Sequence, residues 1–269
     1  MRVNFRLQAR RLRSIHQPPI ENGFVQVVDG RVSEIGRQKT PSSQAIDLGA
    51  ATIIPGLINA HTHLEFSDLQ QPLGEPGMPF TRWIKQVVSC RSQSANRHDA
   101  RSKSIAMGIG ESRNCGVTAI GEIATAPADV RDYGQAQPIT VFLERLGRDT
   151  NQIESTAAFC ESWLNSFPAG VECVPGISPH APYSVHPQLL ENLIGQSQLN
   201  RCPLAMHLAE TPEEIQLISD QSGVMVDLLK ELDAWFPESF PRCVRILDYL
   251  KQLSRAHRVV IVHGNYLTQ

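Results

Sequence analysis

No run of this 269-residue chain comes near the ~18 consecutive apolar residues that a membrane-crossing helix needs, and its opening, Met1-Arg-Val-Asn-Phe-Arg-Leu7, lacks the apolar core of a secretion signal. A cytoplasmic protein with no membrane partner is the expectation. Basic clusters are equally scarce: the longest is Arg10-Arg11-Leu12-Arg13, and the formal net charge is -2, which leaves nucleic acid without an electrostatic handle. The six cysteines (Cys90, Cys115, Cys160, Cys173, Cys202, Cys243) contain no Cys-x-x-Cys pair and fall short of a disulfide scaffold, so they read as reduced, mostly buried thiols. No Gly-x-Gly-x-x-Gly and no phosphate-binding loop follows any apolar run, which disfavours a nucleotide cofactor at the switch point of an open sheet. A small-molecule partner remains, and 41% apolar residues suffice for a large core.

The chain is organised around Ile53-Ile-Pro-Gly-Leu-Ile-Asn-Ala-His61-Thr-His63-Leu-Glu65. Its apolar run, Ala51 to Ile54 with Leu57 and Ile58, predicts a buried strand that ends in two histidines. Side chains alternate along a strand, so His61 and His63 face the same way and can chelate one cation. Neutral imidazole suits Zn²⁺ and Fe²⁺.

Residues 1–50 predict a small antiparallel β unit, part of a sandwich. Phe24-Val-Gln-Val-Val28 and Arg31-Val-Ser-Glu-Ile-Gly36 flank Asp29-Gly30, a dipeptide suited to a two-residue hairpin, and the turn-rich Gln38–Ser43 follows. From residue 51 to 269, apolar strands alternate with helical patterns. The strands are placed at 51–58, 116–123, 139–143, 171–178, 203–207 and 259–263. Helical spacing appears in Phe80, Trp83, Ile84, Val87, Val88, in Leu189, Leu190, Leu193, Ile194 and in Val244, Leu247, Leu250, Leu253. Thr211-Pro212-Glu213-Glu214 marks a helix start, with an N-cap threonine, proline at the first position and a capping-box glutamate. The fold class is therefore α/β. Six parallel strands with polar residues at their carboxyl ends suit a partial (β/α)8 barrel, whose chemistry sits at those ends.

Four of the six strands end in histidine or run straight into one: His61 and His63, His180, His207 and His263. The remaining His16, His98, His186 and His257 fall in loops or helical stretches and read as surface or capping residues.

Asn59-Ala-His61-Thr-His63-Leu-Glu65, Ser178-Pro-His180-Ala-Pro-Tyr-Ser184, His207-Leu-Ala-Glu210-Thr211 and Val262-His263-Gly-Asn265 together resemble the amidohydrolase superfamily. The branch they resemble holds the cytosine deaminases and chlorohydrolases, with guanine and adenosylhomocysteine deaminases. The resemblance implies that His61, His63 and His207 bind one divalent metal, Zn²⁺ or Fe²⁺. It makes Glu210 the acid/base, His263 the group that steers the attacking water, and His180 a substrate contact. A metal that lowers the pKa of water toward ~7, beside a carboxylate that relays the proton, is sound chemistry for that set. Glu210 also fits as an acidic residue favourable at a helix start. Some relatives bridge two metals through a lysine on the fourth strand; residues 171–185 contain none, so a single metal is expected.

Glu122 could face the pocket, pair with Arg145 or meet solvent. The segment His63-Leu-Glu-Phe-Ser67, then Phe80-x-x-Trp83 and Arg91, resembles aminodeoxyfutalosine deaminases, which makes Trp83 a substrate-binding candidate; helix packing accounts for the same spacing. The implied function is hydrolytic deamination of a purine-like heterocycle. Alternatives are hydrolysis of another C–N or C–Cl bond on the same scaffold, or a remnant that only binds a ligand. Family members are often dimers, so a homodimer is compatible. The family places a further aspartate on an eighth strand after His263, whereas Asp220, Asp227, Asp233 and Asp248 all precede it. The expectation is a chain without the last two barrel strands, with weak metal binding and little turnover.

Overall fold

The Asp29-Gly30 turn forms as its dipeptide requires: φ is 52° at Asp29 and 76° at Gly30, the left-handed pair that matches the twist of two antiparallel strands. It joins β2 (Ile20–Val28) to β3 (Arg31–Arg37), closing with Val28 opposite Arg31. A computed structural model describes residues 4–37, 45–94, 98–126, 130–133, 138–167, 173–241 and 244–267, and the chain divides into two compact units, Met1–Leu57 and Ile58–Gln269.

The sheet of the first unit is mixed, not purely antiparallel as expected. β1 (Phe5–Leu12) runs antiparallel to β2, but β4 (Ala45–Asp47) and β5 (Thr52–Ile53) both pair with β1 in parallel. Arg6, Arg10 and Arg11 mask the alternation of β1, and strands of two or three residues carry no periodic signal. The predicted turn at Gln38–Ser43 lies outside the described residues.

The run Ala51–Ile58 is not one buried strand. Pro55 has no N–H to give a ladder, and the run splits around it into β5 and β6 (Leu57–Thr62). β6 is an edge strand, and Ile54, Leu57 and Ile58 are exposed, Ile58 by 70%.

The second unit continues from β6 through α1 (Phe80–Ser94), α2 (His98–Asn114), β7 (Val117–Ala124), β8 (Ile139–Arg145), α3 (Ile153–Asn165), β9 (Cys173–Pro179), α4 (Pro187–Asn200), β10 (Pro203–Leu208), α5 (Pro212–Asp220), α6 (Val224–Glu231), α7 (Ile246–Leu253) and β11 (Arg258–His263). Strand order is the chain order, β6 to β11, and the registered pairs from β7 onward are parallel. Leu143, Ile177 and Leu204 on the strands and Leu189, Leu193 and Ile194 on α4 are fully buried in one cluster. Burial of each such side chain contributes about 1.5–3 kcal/mol. Cys160, Cys173 and Cys202 are buried too, and burial pushes each thiol up to about 11; Cys243 lies outside the described residues. His186 caps α4, its Nδ1 accepting the Gln188 N–H.

The sheet curls on itself. β6 and β11 are its two edges, and five strand spacings would hold them ~24 Å apart in a flat sheet. The rings of His61 on β6 and His263 on β11 nevertheless have centroids 5.4 Å apart. Ile123, Phe142, Ala205 and Val262 fill the inside of the curl as a separate cluster. The result matches a partial (β/α)8 barrel.

Candidate active site

The curl gathers the strand-end histidines. His61 Nε2 lies 3.1 Å from His207 Nε2, across 146 positions of chain, and ring nitrogens of His61, His63 and His207 all fall within 4.8 Å of one another. His207 Nδ1 meets the His180 carbonyl oxygen at 3.1 Å; with that nitrogen donating, Nε2 keeps its lone pair and faces the other two rings. Burial pushes His61 down to about 4, helped by the charge of His263, and His63 down to about 3, helped by Arg91. It lowers His207 further still. Three desolvated neutral imidazoles with converging lone pairs fit a borderline divalent cation.

A second group, Glu144, His180 and His207, also satisfies the spacing for a metal. Its claim is weaker. His207 has one nitrogen free, already directed at His61, and the Arg91 guanidinium sits 3.5 Å from Glu144 and opposes a second cation there.

Glu210 comes from the turn after β10, and its Oε1 lies 3.3 Å from His263 Nε2. Burial first, and the Glu214 charge second, push its carboxyl up to about 7. His180 is held by Ser184, whose Oγ is 2.6 Å from Nδ1 and donates to the Ala181 carbonyl. Ser184 Oγ therefore accepts the Nδ1 proton, which leaves His180 Nε2 as an acceptor. Burial, Arg91 and His263 bring His180 down to about 3.

These groups open onto a cavity of about 670 Å³, lined by His61, His63, His180, His207, Glu210 and His263 at its polar end. Phe80, Trp83, Ile84 and Val87 of α1 and Leu228, Leu229 and Leu232 from α6 and its end form apolar wall. Arg148 also lines it but is engaged elsewhere through four hydrogen bonds. It donates to the Pro182 and Val185 carbonyls at 2.7 and 2.9 Å and to Ser239, and it stacks 3.5 Å over Phe240, so it pins the loop that carries His180.

A profile of the amidohydrolase family matches residues 52–268. The chain belongs to that family. It is 29% identical over 208 residues to a 5-methylthioadenosine/S-adenosylhomocysteine deaminase of Pyrococcus furiosus, an alignment covering 74% of this chain and 48% of the relative. With an aminodeoxyfutalosine deaminase of Deinococcus radiodurans it shares 26% identity over 252 residues, 87% of this chain and 56% of the other. The crystal structure of Helicobacter pylori aminofutalosine deaminase with methylthio-coformycin superposes with a TM-score of 0.74 at 21% identity, covering 98% of this chain and 65% of that one. This amidohydrolase chain thus spans about half to two thirds of the length of these relatives.

Of the residues singled out in the sequence, His61, His63, His207, Glu210, His263, His180 and Trp83 all line the one cavity. Glu122 does not. It is buried on β7, and its Oε2 accepts the Leu64 N–H at 2.8 Å, fixing the turn that follows His63. Arg145 does not pair with it; its guanidinium lies 4.4 Å over the Phe159 ring. Glu144 was missed, although a glutamate at the carboxyl end of a strand is the signal that marked the histidines. Glu65, two residues after His63, accepts from Arg91 at 3.1 Å and Thr125 at 2.6 Å. Among the described residues, no helix is long and apolar enough to cross a membrane.

Proposed function

We propose that this amidohydrolase is a metal-dependent aminohydrolase that replaces the exocyclic amino group of a purine-like heterocycle by an oxo group, releasing ammonia. The observation that carries the reading is the approach of Glu210 to His263 beside the triad of His61, His63 and His207. Those three imidazoles would hold one divalent ion, Zn²⁺ or Fe²⁺, and the ion would supply hydroxide-like water at neutral pH. Glu210, with its carboxyl raised to about 7, is poised to take a proton and return it to a ring nitrogen near neutral pH. His263 orients the attacking oxygen through its Nε2 and steadies the charge that develops. His180 offers an acceptor nitrogen to the heterocycle, and the apolar wall around Trp83 takes the rest of the substrate while excluding water. The relatives are named as deaminases, one of 5-methylthioadenosine and S-adenosylhomocysteine and one of aminodeoxyfutalosine, which supports the same class of reaction here. Substrate is a small heterocycle, with neither nucleic acid nor membrane involved.

Single-turnover assays test this, with the chain in excess over an adenine-type nucleoside and one equivalent of Zn²⁺ or Fe²⁺. Release of ammonia and the 6-oxo product is expected, and Glu210→Gln should slow it by about 10²–10⁴-fold while the bound metal stays. Product formation at the same rate in Glu210→Gln, or none from the unmutated chain, would overturn the reading.

A further inference from the structure

We propose that Glu214 is a positioning residue for Glu210: its carboxylate holds the turn after β10 in a left-handed conformation and so sets where the Glu210 carboxyl points. The functional meaning of Glu210 rests on the deaminase reading above; the clamp itself does not.

Glu214 lies in the first turn of α5, fully buried, and does not line the cavity. Its N–H is capped by the Thr211 hydroxyl at 3.3 Å, as the sequence pattern predicts. Its carboxylate also reaches beyond that cap. Oε1 accepts the Ala209 N–H at 3.2 Å and Oε2 accepts the Glu210 N–H at 2.8 Å. Ala209 needs such support, because its φ of 53° crowds Cβ against the backbone in a way that a residue other than glycine resists.

The carbonyl side of the same turn is held from the turn that follows β11. Leu208 O accepts from Gly264 N at 2.9 Å, Ala209 O from Tyr266 N at 3.1 Å, and Glu210 O from Asn265 Nδ2 at 3.2 Å. His263, just before those donors, also has a positive φ, 68°. Two strained turns are therefore laced together, one carrying Glu210 and the other His263, with their side chains 3.3 Å apart. Glu214 supplies the partners for the amide side. Each of the two adjacent N–H groups meets its own oxygen, an arrangement that a carboxylate offers and a carboxamide, with one oxygen, does not. In Glu214→Gln one N–H would face an NH₂ group, so even this isosteric change opens the clamp.

The experiment compares the unmutated chain, Glu214→Gln and a neighbouring control, Glu213→Gln, by amide hydrogen exchange and single-turnover kinetics. In Glu214→Gln the Ala209 and Glu210 amides should exchange at least about tenfold faster while the β10 amides keep their protection. At saturating substrate the rate should fall about 10- to 100-fold with the half-saturating concentration within about twofold and metal content unchanged. Glu213→Gln should leave both readouts alone. Unchanged exchange at the two amides in Glu214→Gln would overturn the clamp, and so would loop-like exchange of those amides in the unmutated chain, which decides the matter if the variant does not fold. Absence of product from the unmutated chain would sink the deaminase reading and leave the exchange result standing.

Discussion

At Glu144 a carboxyl is buried with neither oxygen hydrogen-bonded; its neighbours are Arg91 Nη1 at 3.5 Å and His180 Nε2 at 3.9 Å. Burial pushes it up to about 7, against the pull of Arg91. A carboxyl whose folded-state pKa lies above its unfolded value near 4.5 binds its proton more tightly when folded. Its contribution is full below ~4.5 and is lost as pH rises through about 7. Glu144→Gln keeps the neutral shape at every pH. In the metal-free chain its stability relative to the unmutated protein should improve by on the order of 2–3 kcal/mol between pH 5 and pH 8, read from urea titrations at both values. A constant difference across that range would mean that Glu144 is ionised throughout. The histidines announced themselves at this scale because their chemistry is rare and their place at strand ends is visible in the chain. Glu144 did not, and Glu214 showed only as a capping-box glutamate, because burial and two borrowed N–H groups arise only on packing.

Whether a histidine at the end of a strand reaches its neighbours is decided by how closely the strands pack. β6, the strand that carries His61, lies against β7 at Gly121, where an added methyl would be driven into the Ala60 carbonyl oxygen. Gly121→Ala should push β6 outward, costing about 1–3 kcal/mol of stability and weakening Zn²⁺ binding, as measured by thermal melts and by competition with a chelating dye. Undiminished metal affinity would mean that β6 adapts without moving His61. The five strands from β7 to β11 were legible because each is an apolar run bounded by turns, and α1 because Phe80, Trp83, Ile84 and Val87 keep helical spacing. The same α1 residues form the cavity wall, which spacing alone could not separate from packing. The strand leading to His61 misled for a local reason: Pro55 divides an apolar run that periodicity reads as continuous. Glu122 misled for the opposite reason, since alternation says which face a side chain takes but not that the Leu64 N–H waits there.

The six-stranded curl is a property of the whole second unit, and the triad of His61, His63 and His207 samples it. His61 and His63 come from one edge of the sheet and His207 from four strands away, so an ion shared by them would tie the edge strand to the interior. Sequence patterns reported parallel strands but held no measure of curvature; only the gathering of histidines at strand ends hinted that the edges must meet. A triad-bound ion should stabilise the fold by about 2.7 kcal/mol when free Zn²⁺ is a hundred times its dissociation constant at pH 7.5. The same imidazoles make that gain depend on pH. With folded values near 4 and 3 against 6.5 unfolded, His61 and His63 favour the fold fully above 6.5, and their contribution is lost as pH falls from there toward 3–4. Metal-free protein should therefore melt at lower temperature at pH 5.5 than histidine-independent terms allow, and Zn²⁺ should shift the melting temperature less at pH 5.5 than at 7.5 because protons compete for its ligands. His207→Ala should abolish the Zn²⁺ shift at both values. A shift that survives His207→Ala would place the ion away from the triad, and the curl would then lose its proposed role in assembling a metal site.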